Sequence, residues 1–214
     1  SEMEIEFPLN YSVLLSGPPG IGKSDYCLYL LRKWLDSGEK VIYVTTERSP
    51  DEINARANEC GFDPGSNENM IFVDFYSAAK GSKMRKYQYL THVKDITIAI
   101  EDALNRLGKP ARIIFGSLSP LFLYMASDLM VNLIEELTSD AKREYGFIIY
   151  TMQEGVHDPQ LFSTILNFVD GYLQMKFEEN ESLEKKMRVH HMRARVSDPN
   201  WVNFKIGEHG LEFE

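Results

Sequence analysis

A chain of 214 residues, 43% apolar and 26% charged, can bury a sizeable core, and α/β domains of this length often run undivided, so a single domain over residues 1–214 is expected. The formal net charge of −9 argues against a general nucleic-acid or anionic-membrane surface. No apolar run approaches the roughly 18 to 20 residues that span a bilayer, and no basic segment followed by an apolar one opens the chain, so a cytoplasmic setting is expected.

In chain order, residues 4–10 alternate Ile5 and Phe7 before the turn residues Pro8 and Asn10, which predicts a short edge strand. The apolar run Val13-Leu14-Leu15 predicts a buried strand. It leads into Gly17-Pro18-Pro19-Gly20-Ile21-Gly22-Lys23-Ser24, and a helical pattern of Tyr26, Leu28, Leu30, Leu31 and Trp34 comes next. The segment fits G-x-x-x-x-G-K-[ST] in the strand–loop–helix context that motif requires, and so reads as a phosphate-binding loop. Glycines let backbone N–H groups close around phosphate oxygens, and the helix N-terminus adds its positive dipole end. Lys23 reaches the β/γ-phosphates and the Ser24 hydroxyl is the candidate Mg²⁺ ligand.

The helix is expected to stop near Gly38, and Val41-Ile42-Tyr43-Val44-Thr45 predicts a buried parallel strand, completing a βαβ unit. Glu47 then lies at the carboxyl end of a central strand, where ligands of open α/β sheets collect, and is the candidate general base. Ser49-Pro50-Asp51-Glu52 is a capping box with proline at the first helical position. Residues 70–76 predict a third strand. Residues 77–89 predict a long exposed loop that sets Lys80, Lys83, Arg85 and Lys86 beside Tyr87 and Tyr89, a composition that suits single-stranded nucleic acid, a neighbouring subunit or solvent. A helix from Thr91 to Leu107 carries Ile96, Ala99, Ile100, Ala103 and Leu104 on one face.

The next strand, residues 111–115, runs into Gly116-Ser117, where a P-loop ATPase would place an aspartate to support Mg²⁺. A helix over residues 127–145 and a strand over 147–151 come next, with Gln153 at the strand end as a candidate γ-phosphate sensor. After a short helix over residues 160–168, the segments 171–177, 187–195, 201–206 and 211–213 predict antiparallel additions to the sheet edge. His190 and His191, adjacent on a strand, are expected to face opposite sides and so not to chelate one ion. Arg193 and Arg195 are expected to share a face. Cys27 and Cys60 have neither CxxC spacing nor a histidine at a metal-ligand interval, and read as reduced structural thiols.

The loop Gly17 to Ser24, the strand end Val44-Thr45-Thr46-Glu47-Arg48-Ser49-Pro50, the strand end Ile113 to Ser119, Val169-Asp170-Gly171-Tyr172, and His191-Met192-Arg193-Ala194-Arg195 with the closing Phe204-Lys205-Ile206 and His209-Gly210-Leu211 together resemble the KaiC-like family of the RecA superfamily. The resemblance implies a three-layer RecA-like α/β fold, mainly parallel with antiparallel C-terminal edge strands. It also implies ATP and Mg²⁺ as ligands, and a homo-hexamer or other homo-oligomer with nucleotide between subunits. In that family two glutamates usually end the second strand, and here Glu47 is followed by Arg48. The family's Lys-x-Arg, which reaches a neighbour's γ-phosphate, is matched by His191-x-Arg193, so Arg193 is the candidate catalytic arginine. With Gly116 for the aspartate and His191 for the lysine, ATP binding with weak or absent hydrolysis is expected. The alternatives are a nucleotide-sensing module with a protein partner in signalling or assembly, and a recombinase-like single-stranded DNA-binding ATPase.

Overall fold

The computed structural model describes residues 3–79, 88–90 and 95–214. The described strands form one ten-stranded sheet in the order β10-β9-β8-β7-β1-β6-β5-β2-β3-β4. In chain order these are β1 (Tyr11–Gly17), β2 (Val41–Thr45), β3 (Met70–Asp74), β4 (Gln88–Leu90), β5 (Ala111–Gly116), β6 (Gly146–Gln153), β7 (Gly171–Glu179), β8 (Leu183–Met192), β9 (Val202–Gly207) and β10 (Gly210–Phe213). Strands β1 to β7 run parallel, and β8, β9 and β10 continue the sheet antiparallel. The central strands β1, β2, β3, β5 and β6 are buried along almost their whole length, as expected for parallel strands covered on both faces.

The helices are α1 (Lys23–Asp36), α2 (Pro50–Glu59), α3 (Phe75–Ala79), α4 (Ile96–Leu107), α5 (Ser127–Asp140) and α6 (Pro159–Phe168). They complete three layers. One core joins Val13, Leu15, Tyr43, Ile114 and Ile149 to Tyr26, Leu30, Leu31 and Trp34 of α1. The other joins Leu14, Ile42, Ile113, Phe115 and Ile148 to α4, α5 and α6. Alternate residues of each strand enter opposite cores, so each strand is apolar on both sides. The capping box is present: Ser49 Oγ accepts the Glu52 N–H at 3.2 Å, and the Ser49 N–H donates to Glu52 Oε2 at 3.0 Å.

Several expectations change. Residues 4–10 form no strand. Instead Phe7 is buried against Trp34 and Phe147, at centroid distances of 6.4 and 5.3 Å, and its carbonyl accepts Arg112 Nη1 at 2.7 Å. The third strand stops at Asp74, whose carboxylate accepts the Ser77 N–H at 2.8 Å and so opens α3, where the strand's last two residues and the start of a loop were expected. β4 lies in the same predicted loop. The basic side chains of residues 80–86 fall outside the described residues. The helix expected from Thr91 is described from Ile96, and that expected to 145 ends in a π-helical turn, Ala141–Tyr145. β8 ends at Met192, so Arg193 and Arg195 lie in a turn, with Ala194 at φ 56°, and share no strand face.

Candidate functional site

The carboxyl ends of β1, β6, β5 and β2 lie side by side, with Gly17 opposite Gln153 and Thr45 opposite Gly116. This edge collects the loop of residues 17–24, Gly116, Glu47 and Gln153. Gly20 and Gly22 adopt φ of 77° and 120°, conformations that side chains rarely take. A Cβ at Gly20 would meet nothing within 4 Å, whereas one at Gly17 would approach Ile21 Cγ2 at 3.0 Å and Met175 Cβ at 3.1 Å. The loop is therefore packed from beneath and open at its mouth. Ile21 is buried under it, and Phe204 and Ile206 of β9 back Gly22.

Lys23, the first residue of α1, turns its Nζ back to the carbonyls of Gly17 (2.8 Å) and Pro18 (2.9 Å). Desolvation lowers its pKa below the ordinary lysine value, against the opposing pull of Glu47 and Glu154. These two carboxylates are the acidic groups that face it. The Glu154 N–H donates to Gly17 O at 3.0 Å, tying β6 to the loop's entrance. Glu154 is a site residue that no local sequence pattern marks. Asp25, next to Ser24, is paired with Arg56 of α2 at 3.5 Å.

At the end of β2, the Thr46 hydroxyl is shared between the carbonyls of Gly116 and Ser117. That clip sets the exit from which the exposed Glu47 projects. Ser117 is held at φ 76°, and Ser119 Oγ accepts the Gln153 N–H at 3.0 Å while pairing with His157 Nε2 at 2.8 Å. Burial lowers the His157 pKa. Gln153 is thus fixed by its backbone beside the loop.

Arg193 is elsewhere. It lies just after β8 at the amino-terminal edge of β1 and β7, where its Nη1 lies 3.2 Å from Asp170 Oδ1. Gly17 is six residues further along β1 than Tyr11, roughly 20 Å at strand rise. Within one chain Arg193 does not approach Lys23. His190 and His191 also depart from expectation. A bulge opposite Tyr172 and Leu173 inserts His190 into β8, and the two rings meet with Nδ1 atoms 2.9 Å apart. No group of three His, Cys, Asp or Glu suited to a metal occurs among the described residues.

The residues fit a triphosphate: an open glycine loop, a helix N-terminus and one lysine with no carboxylate inside the loop. For Mg²⁺, Ser24 lines the same recess as Glu47 and Gly116, and position 116 offers no carboxylate.

A family model described as "ATPase: KaiC" matches residues 3–214. The UPF0273 protein PF1931 of Pyrococcus furiosus is 24% identical over 93% of this chain and 83% of its own length. The UPF0273 protein MJ1359 of Methanocaldococcus jannaschii is 29% identical over 93% and 86%. A DNA repair protein RadA of Mycobacterium tuberculosis matches over 22% of this chain and 10% of its own, at 42% identity. Among solved structures, the KaiC-like protein PH0186 of Pyrococcus horikoshii superposes with a TM-score of 0.81 over 97% of this chain and 91% of that one, at 17% identity.

Proposed function

The chain belongs to the KaiC ATPase family, and from that premise we propose that its site binds a nucleoside triphosphate, ATP with Mg²⁺, and hydrolyses it slowly. The observation that carries this reading is the loop itself, with Gly20 and Gly22 at positive φ, an open mouth and Lys23 Nζ poised over it. Loop amides and the start of α1 take the phosphates, and Lys23 exchanges the Gly17 and Pro18 carbonyls for phosphate oxygens. The Ser24 hydroxyl ligates Mg²⁺, which supplies charge neutralisation on the phosphate oxygens. Glu47, exposed at the end of β2, orients or deprotonates the attacking water. Arg193 serves the site of a neighbouring copy in a homo-oligomer, because its place at the opposite edge keeps it from its own. A cytoplasmic setting keeps Cys27 and Cys60 reduced. Turnover of radiolabelled ATP by the wild type, Lys23→Ala and Glu47→Gln tests the assignment: both substitutions are expected to abolish it, and equal rates for all three would dismiss the roles.

A second reading, a nucleotide-sensing module that does not hydrolyse, is favoured by Gly116 at the metal-supporting position. It requires ATP binding without turnover and a change of oligomer size with ATP, read by light scattering. The recombinase-like reading rests on the basic side chains of residues 80–86, outside the described residues, and on a chain of net charge −9. No helix among the described residues is long and apolar enough to cross a membrane.

A further inference from the structure

His190 and His191 stand side by side over one aromatic floor. The register of β8 against β7 sets Met192 opposite Gly171 and His191 opposite Tyr172, then passes to Val189 opposite Leu173, so His190 is the extra residue of a bulge. A bulge sets two residues against one and re-aims their side chains. Both rings therefore meet Tyr172, where a regular strand would send them to opposite faces. Their centroids lie 5.2 Å (His190) and 6.1 Å (His191) from that of Tyr172 and 5.2 Å from each other, with the imidazole planes at 76°. The floor is fixed: Tyr172 is buried, its Oη lies 2.8 Å from Ser16 Oγ and accepts Gln174 Nε2 at 3.1 Å, and its ring meets Phe162 of α6 at 6.0 Å.

The two Nδ1 atoms lie 2.9 Å apart. Imidazole nitrogens at that distance need a proton or a metal ion between them, because facing lone pairs repel. With metal–nitrogen bonds of about 2.0–2.1 Å this separation subtends roughly 90° at the metal, whereas a tetrahedral ion asks for about 3.3 Å. A right-angled pair matches neighbouring positions of a square-planar or tetragonal ion, and among the divalent ions that imidazole suits, Cu²⁺ stands highest in affinity. We propose that His190 and His191 form a bidentate site for a divalent transition-metal ion of tetragonal geometry, Cu²⁺ before Ni²⁺ and Zn²⁺. Each neutral imidazole gives its Nδ1 lone pair. The ring that donates the N–H in the metal-free pair moves that proton to Nε2 through water, so neutral rings lose no proton on binding. Chelation turns each lone pair off the line between the nitrogens by about 45°, which two exposed rings can do. No third His, Cys, Asp or Glu joins them among the described residues, so water or another exchangeable ligand completes the coordination. The Arg193 guanidinium faces His191 and opposes a cation, and Asp170 Oδ1, 3.2 Å from its Nη1, offsets that charge. The site uses no residue of the phosphate loop and is independent of the nucleotide reading.

The test uses the full chain without nucleotide, as wild type, His190→Gln and His191→Gln, titrated with Cu²⁺, Ni²⁺ and Zn²⁺ by calorimetry at neutral pH. Electron paramagnetic resonance of the wild-type Cu²⁺ complex counts the coordinated nitrogens. Cu²⁺ is expected to bind the wild type about tenfold or more tighter than either variant, and tighter than Ni²⁺ or Zn²⁺, with splitting from two imidazole nitrogens. Equal Cu²⁺ affinity in all three proteins, or splitting from a single nitrogen, overturns the proposal and leaves the contact between the rings as an N–H···N hydrogen bond only. Zn²⁺ bound as tightly as Cu²⁺ also overturns it, because that order denies the right-angled geometry. If either variant fails to fold, the wild-type spectrum and the order of the three ions decide.

Discussion

Replacing Asp170 by alanine is expected to destabilise the protein by about 3 kcal/mol, more than most surface ion pairs could account for. The carboxylate is 3% exposed and takes Lys142 Nζ at 2.8 Å, Arg193 Nη1 at 3.2 Å, the Ser12 N–H at 3.1 Å and the Ser12 hydroxyl at 3.3 Å. The Lys142 and Arg193 side chains keep 31% and 62% of their exposure, so both cations turn to water at small cost and contribute about 0.5–1 kcal/mol each. Ser12 is fully buried. Its orphaned N–H would cost about 1–3 kcal/mol, which makes this backbone bond at the foot of β1 the larger share. Asp170→Asn keeps an acceptor for that N–H but turns its NH₂ to the cations, and is expected to cost about half as much. Urea unfolding at neutral pH measures both, and an unchanged m-value identifies the effect as stability. A loss below about 1 kcal/mol for Asp170→Ala, or equal losses for the two variants, would refute the assignment of the cost to Ser12.

Lys23 and Thr46 give two further expected outcomes. Because desolvation lowers the folded-state Lys23 pKa below 10.5, this group's contribution to stability rises as pH increases through that lowered value toward 10.5. Bound phosphate favours charged Lys23, so nucleotide affinity is expected to be level near neutrality and to fall at a lower alkaline pH than an ordinary lysine would give; an affinity unchanged up to pH about 10.5 contradicts it. Thr46→Val removes the buried hydroxyl that bridges Gly116 and Ser117 and is expected to cost about 1–2 kcal/mol in urea. By loosening the strand end that bears Glu47, it is also expected to reduce ATP turnover more than nucleotide affinity, which parallel kinetics and binding titrations would check.

The parts of the site that could be read from sequence are those built from neighbours in the chain. The loop of residues 17–24 carries its glycines, its lysine and its helix within eight positions, and the Ser49–Glu52 capping box within four. Central strands were legible because parallel strands buried on both faces read as continuous apolar runs. Features that depend on partners far away in sequence were hidden. The strand at residues 70–76 was overrun because Val73 and Phe75 look alike in pattern, while Asp74 ends the ladder by capping helix α3. Phe7 alternates like a strand residue, yet its place is fixed by Arg112 and Trp34, beyond any local window. The β8 bulge that joins His190 to His191 is set by register against Tyr172, which no period within residues 187–195 encodes. Gly116 was visible as a departure, but its close neighbours, the Tyr43 ring and the Val44 carbonyl, follow only from the β2–β5 register.

The distance between the two proposed halves of the catalytic apparatus makes a demand on assembly. Lys23 and Glu47 occupy the carboxyl edge of the sheet and Arg193 the amino edge, roughly 20 Å away along β1. An arginine at one edge meets phosphate at the other only if copies associate head to tail, a heterologous contact that closes into rings or runs on as filaments. Such a site is shared, so the two substitutions Lys23→Ala and Arg193→Ala damage opposite partners of each interface. Each variant alone is expected to be inactive in ATP turnover. Mixed in equal amounts and reassembled, an Arg193→Ala subunit that retains Lys23 can meet a Lys23→Ala subunit that retains Arg193. Random assembly then restores about one quarter of the interfaces, and with them about one quarter of wild-type turnover. A linear sum of the two inactive preparations at every mixing ratio, in samples shown by light scattering to have exchanged subunits, would place Arg193 outside the nucleotide site and leave it as a partner of Asp170 alone.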